Sequence, residues 1–211
     1  PKPLIFFNNG AKIKNIINRI RKIGKNKASF LDRDRTKKIK KDYLYKIEDF
    51  EWEKGVIDAL KLLSKLGYKL IVVTNQSGVA RGYYSEDDVI RLHNYMNEEL
   101  RNFETKIDEF HYCPHHENGI EKYKKRCRCR KPEIEFFEKA AKKYSIDYSK
   151  SFVVGDKISD LEAAVRLGMT PVLVRTGHGE EEERKIYVKT QVYDNLYDFA
   201  KKLEKQECVK K

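Results

Sequence analysis

Hydrophobic residues along the chain follow two alternating patterns. Short apolar runs, several rich in β-branched residues, predict strands at 28–31, 68–74, 107–112, 151–154, 171–174 and 191–193. Between them, apolar residues recur at helical spacing and predict helices at 55–66, 85–103, 133–144, 160–167 and 196–204. Strands that alternate with helices predict an α/β fold, a three-layer Rossmann-like sandwich with a mainly parallel sheet.

Residues 1–27 differ from the rest of the chain. Ile13, Ile16, Ile17 and Ile20 lie at helical spacing among lysines and asparagines. We expect a basic, amphipathic helical extension over 1–27 and one catalytic domain over 28–211. The chain shows no insertion large enough for a separate cap domain.

The 45 Lys and Arg residues exceed the 33 Asp and Glu residues, which gives a formal net charge of +12. Such an excess favours anionic partners, including phosphorylated metabolites. The basic residues form no single stripe with aromatic residues, so we expect no nucleic-acid partner. No apolar run approaches the roughly 20 residues that a membrane span needs, and no signal peptide is visible. We therefore expect a monomer in the cytoplasm with no membrane partner.

Polar side chains follow four of the predicted strands. Asp32 and Asp34 end the first strand, Thr74 the second and Asp156 the fourth, and the third leads to Arg130 and Lys131. Because the carboxyl ends of parallel strands share one edge of the sheet, these groups should meet there. Each residue alone is more often an ordinary strand end or helix cap. Together they predict a ligand site.

Three cysteines and a histidine form a second candidate site: Cys113, His115, Cys127 and Cys129. They supply a complete tetrahedral set for Zn²⁺ that leaves no position open for water, which indicates a structural ion. Buried free thiols are the alternative. We expect the zinc to fix the loop at 117–126 and thereby to aim Arg130 and Lys131.

The motifs resemble those of the haloacid dehalogenase superfamily of phosphotransferases. Within it, the sequence is similar to the D-glycero-D-manno-heptose 1,7-bisphosphate 7-phosphatases. The similarity lies in the stretches at 73–82, 112–116, 127–132 and 154–157 and covers roughly residues 28–204. It implies a phosphatase that removes the C7 phosphate of the heptose bisphosphate, in precursor synthesis for lipopolysaccharide core or surface glycan.

The resemblance implies a role for each motif residue. Asp32 would be the nucleophile and Asp34 the general acid and base, while Thr74 and Lys131 would hold the transferring oxygens. Asp32, Asp156 and the main-chain carbonyl of Asp34 would bind Mg²⁺, and Asp160 would reach the ion through water. The substrate, a small phosphorylated sugar, would contact Tyr43, Asn75, Gln76, Ser77, Arg130 and Lys157.

Some positions depart from the family pattern. Arg35 stands where the family has a glycine, Lys37 where it has an apolar residue, and Lys40 begins a stretch where it has Asp-x-Gly. These changes affect sugar recognition and turnover and leave the chemical motifs in place. One alternative is a histidinol-phosphate phosphatase, a family with the same aspartates and a similar zinc loop. Arg35 and the net charge of +12 leave a second alternative, a catalytically impaired module that binds sugar phosphates.

Overall fold

A computed structural model describes residues 25–33 and 43–209. Six strands in the described part form one sheet in the order β3-β2-β1-β4-β5-β6. They are β1 (Lys27–Leu31), β2 (Tyr68–Asn75), β3 (Glu109–Cys113), β4 (Phe152–Gly155), β5 (Thr170–Val174) and β6 (Gln191–Tyr193). Every neighbouring pair is parallel, so all six carboxyl ends lie at the same edge. The predicted α/β fold class is confirmed.

Seven α-helices connect or follow the strands within the described residues. They are α1 (Val56–Lys65), α2 (Ser77–Ala80), α3 (Glu86–Arg101), α4 (Glu135–Tyr144), α5 (Ile158–Leu167), α6 (Gly179–Glu183) and α7 (Leu196–Cys208). Short 3₁₀ turns occur at Ile47–Asp49, Glu121–Tyr123 and Tyr148–Lys150. None of the described helices is both long and apolar enough to cross a membrane.

The two faces of the sheet carry separate hydrophobic cores, because successive strand residues point to opposite sides. On one face, Leu31, Leu70 and Val72 pack with buried residues of α1, α3 and α7. On the other face, Phe30 and Ile71 pack with buried residues of α4 and α5. Helices on both sides make the sandwich three-layered and exclude water from the strands up to their carboxyl ends.

Local sequence signals explain several element ends. The Ser85 hydroxyl accepts a hydrogen bond from the Asp88 N–H, and the Asp88 carboxylate accepts one from the Ser85 N–H, forming the capping box that begins α3. At the other end of a helix, Gly168 takes a φ of +75° and terminates α5. Most predicted elements agree with the observed ones to within about two residues, whereas α2 and α6 were not predicted.

The first described residues lie on the N-terminal side of the domain boundary predicted between residues 27 and 28. Asn26 and Lys27, assigned to the N-terminal extension, pair with the catalytic domain, since Asn26 bridges to Ile146 and Lys27 begins β1. Lys27 Nζ also lies 2.6 Å from a carboxylate oxygen of Glu207 in α7. The amphipathic helix predicted for the extension falls at 1–24, outside the described residues.

Candidate active site

The first strand delivers Asp32 to the carboxyl edge of the sheet. β1 lies between β2 and β4, and the Asp32 N–H continues the ladder by donating to Val154 O at 3.1 Å. The backbone of Asp32 is thereby fixed while its side chain extends beyond the paired strands. Only 8% of the residue is exposed. Asp32 therefore presents its carboxylate at the centre of the sheet, in a nearly dry site.

Lys131 lies against Asp32 although 99 positions separate the two residues. Its ammonium group is 2.6 Å from Asp32 Oδ1 and 2.7 Å from Asp160 Oδ1, and it donates to Val73 O at 2.6 Å. One buried cation thus bridges two carboxylates and the end of β2. Charge-assisted contacts of this length hold all three side chains in one geometry.

Three buried carboxylates gather at this point. Asp32, Asp156 and Asp160 offer oxygen atoms that all lie within 4.8 Å of one another. Taken by themselves, these three carboxylates and the Lys131 ammonium have a formal net charge of minus two. Carboxylate oxygens are the ligands that Mg²⁺ prefers, and buried charges need a partner. The residues therefore fit a divalent cation.

The site shifts the pKa values of its ionisable groups. Burial is the main cause that raises the pKa of Asp160 to about 6; the neighbouring Asp32 and Asp156 act in the same direction, and Lys131 opposes them. Burial by itself lowers the pKa of Lys131, but the Asp160 and Asp32 carboxylates outweigh it and hold that pKa above its usual value. Lys131 is therefore a permanent ammonium ion at neutral pH.

A turn after β5 orients Asp156. The His178 N–H donates to Asp156 Oδ2 at 3.0 Å. The preceding Gly177 has a φ of +63°, and a Cβ there would overlap the same carboxylate oxygen. Only glycine lets this backbone approach Asp156 so closely. The turn at 177–178 is thus part of the site, and it was missed at the sequence level although the pattern Gly177-His178-Gly179 was visible there.

Asn75 clamps the backbone of Lys131. Its amide oxygen accepts from Lys131 N–H at 3.0 Å, and its amide nitrogen donates to Lys131 O at 3.1 Å. The end of β2 therefore fixes the chain that carries the lysine. The neighbouring Gln76 is 1% exposed, and its amide bonds to Thr74 and Tyr84.

The cysteine cluster comes together as a compact four-donor set. The sulfur atoms of Cys113, Cys127 and Cys129 lie 3.0 to 3.4 Å apart, and His115 Nδ1 lies 3.4 Å from the Cys129 sulfur. Four donors around Zn²⁺ at about 2.3 Å would be separated by about 3.5 to 3.8 Å, so a small expansion accommodates the ion. Hydrogen bonding with Cys113 is the main cause that lowers the pKa of Cys129 to about 5, which favours the thiolate that binds metal.

The cluster is linked to the carboxylate site through Arg130. Arg130 directly follows Cys129 and precedes Lys131, and its guanidinium donates to His115 O at 3.2 Å. Glu86 on α3 holds the same loop from outside, since its carboxylate accepts from the hydroxyl groups of Tyr112 and Tyr123. Residues 127–131, here called the braced segment, therefore carry two of the four donors together with Lys131.

The remaining predicted residues have varied positions. The Tyr43 hydroxyl accepts from Arg81 at 2.8 Å, Ser77 is half-buried at the start of α2, and Lys157 is exposed before α5. The Lys157 N–H donates to Asp160 Oδ2 at 3.3 Å. Four residues singled out from the sequence lie outside the described residues: Asp34, Arg35, Lys37 and Lys40.

One buried residue near the site had no sequence signal. Arg33, next to Asp32, is 5% exposed and donates to Leu44 O at 2.8 Å. An arginine between two aspartates is expected at the surface, because a single charged residue gives no periodic pattern that predicts burial. The carbonyl of a distant loop accepts its hydrogen bond, and such long-range contacts are visible only in the fold.

Comparisons with known proteins agree with this geometry. The HAD-hydrolase-like family matches residues 128–199. A D-glycero-beta-D-manno-heptose-1,7-bisphosphate 7-phosphatase of Haemophilus influenzae is 45% identical over 185 residues, which cover 85% of this chain and 100% of that protein. A D-glycero-alpha-D-manno-heptose-1,7-bisphosphate 7-phosphatase of Photorhabdus laumondii is 41% identical and covers 84% of this chain and 97% of its own length. The crystal structure of a D,D-heptose 1,7-bisphosphate phosphatase from B. bronchiseptica, with magnesium and phosphate, has a TM-score of 0.76, 28% identity and coverage of 85% and 99%.

Proposed function

This chain belongs to the family of D-glycero-D-manno-heptose-1,7-bisphosphate 7-phosphatases within the HAD-like hydrolases, and we propose that it removes the C7 phosphate of the heptose bisphosphate. The membership confirms the family predicted from the motifs. The observation that carries the proposal is the buried group of Asp32, Asp156, Asp160 and Lys131. Carboxylate oxygens of the three aspartates lie within 4.8 Å of one another, and the Lys131 ammonium contacts two of them, Asp32 and Asp160. A sugar monophosphate and inorganic phosphate would be the products.

Asp32 is the nucleophile of the proposed reaction. One carboxylate oxygen attacks phosphorus, the bond between phosphorus and the C7 oxygen breaks, and an aspartyl phosphate forms on Asp32. Asp34 protonates the departing C7 oxygen, then takes a proton from the water that hydrolyses the aspartyl phosphate. Asp34 lies outside the described residues, so its role rests on the motif and on its place two residues after Asp32.

Mg²⁺ is the proposed cation of the carboxylate cluster. Asp32 and Asp156 would hold it together with the main-chain carbonyl of Asp34, and Asp160 would contact it through water. When bound, the ion neutralises charge on the phosphoryl group and on the carboxylates. The closeness of three buried carboxylates, whose oxygen atoms lie within 4.8 Å of one another, supports this assignment.

Lys131 and Thr74 would stabilise the transferring phosphoryl oxygens. The Lys131 ammonium is already 2.6 Å from the nucleophilic carboxylate, so it lies close to the place where negative charge develops. The braced segment holds it there, which is the preorganised arrangement that phosphoryl transfer requires. Zn²⁺ in the set of Cys113, His115, Cys127 and Cys129 would fix this segment without taking part in the chemistry, because four donors close the coordination sphere.

Arg130 is proposed to select the sugar phosphate, with Tyr43, Ser77 and Lys157 as further contacts. Its guanidinium is anchored on His115 O, half-buried and adjacent to Lys131, so a second phosphate of the substrate could receive its remaining N–H groups. Asn75 and Gln76, also predicted as substrate contacts, have amides that bond within the protein.

The test compares phosphate release by the wild type and by Asp32→Asn in the presence of Mg²⁺. Asp58→Asn is the matched control, since Asp58 is exposed on α1 and takes no part in the cluster. We expect the Asp58 variant to retain wild-type turnover and the Asp32 variant to lose it while keeping the wild-type circular dichroism. ³¹P NMR of the product should show that the phosphate at C1 remains.

Substrate choice is tested with heptose bisphosphate and histidinol phosphate side by side. Faster turnover of histidinol phosphate would identify the alternative activity. Binding of sugar phosphates without phosphate release would identify the impaired module. Retained turnover by Asp32→Asn would show that the nucleophile is another residue.

A further inference from the structure

Thr74, Gln76 and Tyr84 form a chain of hydrogen bonds under the site. The Tyr84 hydroxyl donates to Gln76 Oε1 at 2.7 Å, and Gln76 Nε2 donates to Thr74 Oγ1 at 2.9 Å. Thr74, Gln76 and Tyr84 are respectively 0%, 1% and 8% exposed. The Gln76 side chain therefore lies beneath the surface of the pocket and acts on its neighbours rather than on solvent.

This chain fixes the direction of the Thr74 hydroxyl. An amide has one oxygen that accepts and one nitrogen that only donates. With its oxygen turned to the Tyr84 hydroxyl, Gln76 must face Thr74 with its nitrogen, so the Thr74 oxygen accepts and its hydrogen points elsewhere. Among residues 25–33 and 43–209, no acceptor for that hydrogen is found. A buried donor without an acceptor is costly, which predisposes it to bond to an anionic oxygen.

The Tyr84 end of the chain is held by packing. Its ring stacks on Tyr45 with centroids 4.9 Å apart and planes at 10°. Gly78 lies beneath the same ring, and a Cβ at this position would overlap it. A larger residue at position 78 would displace Tyr84 and with it the amide of Gln76. The direction of the Thr74 hydroxyl thus depends on the side chains of Gln76, Tyr84 and Tyr45.

We propose that Gln76 is a positioning residue, set by Tyr84, which directs the Thr74 hydroxyl hydrogen toward the phosphoryl oxygen that is being transferred. The inference rests on the proposed phosphatase function and deepens it. It changes the role expected for Gln76 from substrate contact to orientation of a donor. A donor that points correctly before the substrate arrives needs no reorganisation during the reaction.

The test is a double-mutant cycle between Tyr84→Phe and Thr74→Val, measured as kcat and KM. Phenylalanine keeps the stacked ring and removes the hydroxyl that orients Gln76, while valine keeps the shape of threonine and removes the directed donor. We expect Tyr84→Phe to lower kcat about tenfold with KM changed less than about twofold. In the Thr74→Val background the same change should lower kcat by less than about twofold, because the group it acts on is gone.

Tyr83→Phe is the matched control, since Tyr83 is the adjacent tyrosine and 55% exposed. It should leave kcat unchanged. If Tyr84→Phe unfolds the protein, Gln76→Met replaces it in the cycle with Thr74→Val. Methionine has a similar volume to glutamine and no amide, so the same fall in kcat is expected. An equal fall in kcat in both backgrounds, or no fall in the wild-type background, would overturn the inference. A wild type without phosphatase activity would overturn the proposed function together with this inference, whereas an active wild type with additive effects overturns the inference alone.

Discussion

Replacing Lys131 by methionine should destabilise the protein strongly, although the two side chains are similar in length. The wild-type ammonium lies 2.6 and 2.7 Å from two carboxylates and is 6% exposed as a residue. Methionine would leave Asp32, Asp156 and Asp160 without that cation, and the formal charge of the cluster would change from minus two to minus three. Removing one partner of a buried pair costs about 3 to 5 kcal/mol, since the other charges stay buried and uncompensated.

Mg²⁺ should recover part of this loss. A cation that binds the folded protein and not the unfolded chain raises the free energy of unfolding. In Lys131→Met the ion would face the same three carboxylates without the repulsion of the Lys131 ammonium, so saturating Mg²⁺ should stabilise the variant more than it stabilises the wild type. Phosphatase activity should not return with stability, because the donor to the phosphoryl oxygens is missing.

Urea unfolding followed by circular dichroism, with and without Mg²⁺, measures both effects. Lys61→Met is the control, because Lys61 is an exposed lysine on α1. The control should change the free energy of unfolding by less than about 0.5 kcal/mol. Two results would refute the described pairing of Lys131 with the carboxylates. One is a free energy of unfolding for Lys131→Met equal to that of the control, and the other is equal stabilisation of Lys131→Met and the wild type by Mg²⁺.

Two further predictions concern other parts of the fold. Cys129→Ser should bind less zinc than the wild type, measured by mass spectrometry after dialysis, because it loses one of four donors. Cys208→Ser is the control, since Cys208 is exposed and is not part of the cluster, and it should keep its zinc. Equal zinc contents in the two variants would refute the donor set. Burial, aided by Arg33, lowers the pKa of His93 to about 3, so the folded protein keeps His93 neutral while the unfolded chain takes up a proton below its usual pKa of 6.5. The free energy of unfolding should therefore fall as the pH drops below 6.5, by about 2 kcal/mol at a pH of about 5. In His93→Phe, urea unfolding should show a smaller fall over the same pH range, because no imidazole takes up a proton. An equal fall in the wild type and in His93→Phe would contradict the burial of a neutral imidazole.

Local patterns were sufficient to predict most of the fold. The apolar run at 68–74 needed only strand propensity and burial, and β2 occupies Tyr68–Asn75. Ser85 with Asp88 three positions later predicted the start of α3 from hydrogen bonds within one turn. The short helix α6 (Gly179–Glu183) was missed, because four successive glutamates show no apolar periodicity. For the same reason the prediction ended the last helix at residue 204, whereas α7 continues to Cys208. The last turn of α7 is polar and shows no apolar periodicity.

For the candidate site too, some features could be predicted from the sequence and others depend on the fold. Asp32 and Asp156 were predicted to meet because each directly follows a strand and strand ends meet in a parallel sheet, whereas Lys131 was reached through the loop after β3 and Asp160 came from the family motif. The contacts that hold these residues were not predicted, since they join distant parts of the chain. The donation from His178 N–H to Asp156 spans 22 positions, and the contact of Asn75 with Lys131 spans 56. Motifs indicate which groups could react, whereas the supporting contacts depend on tertiary structure.

The order of the strands has a consequence for synthesis of the protein on the ribosome. Asp32 directly follows β1, whose two neighbours are β2 and β4, so β1 is synthesised well before the partner strand that ends at Gly155. Its charge partners follow at Lys131, Asp156 and Asp160, and the turn that orients Asp156 comes later still, at 177–178. A nascent chain that stops short of this turn contains all three carboxylates and Lys131 but lacks the backbone N–H that orients Asp156. We therefore expect phosphatase activity to require the turn at 177–178 as well as the residues that precede it.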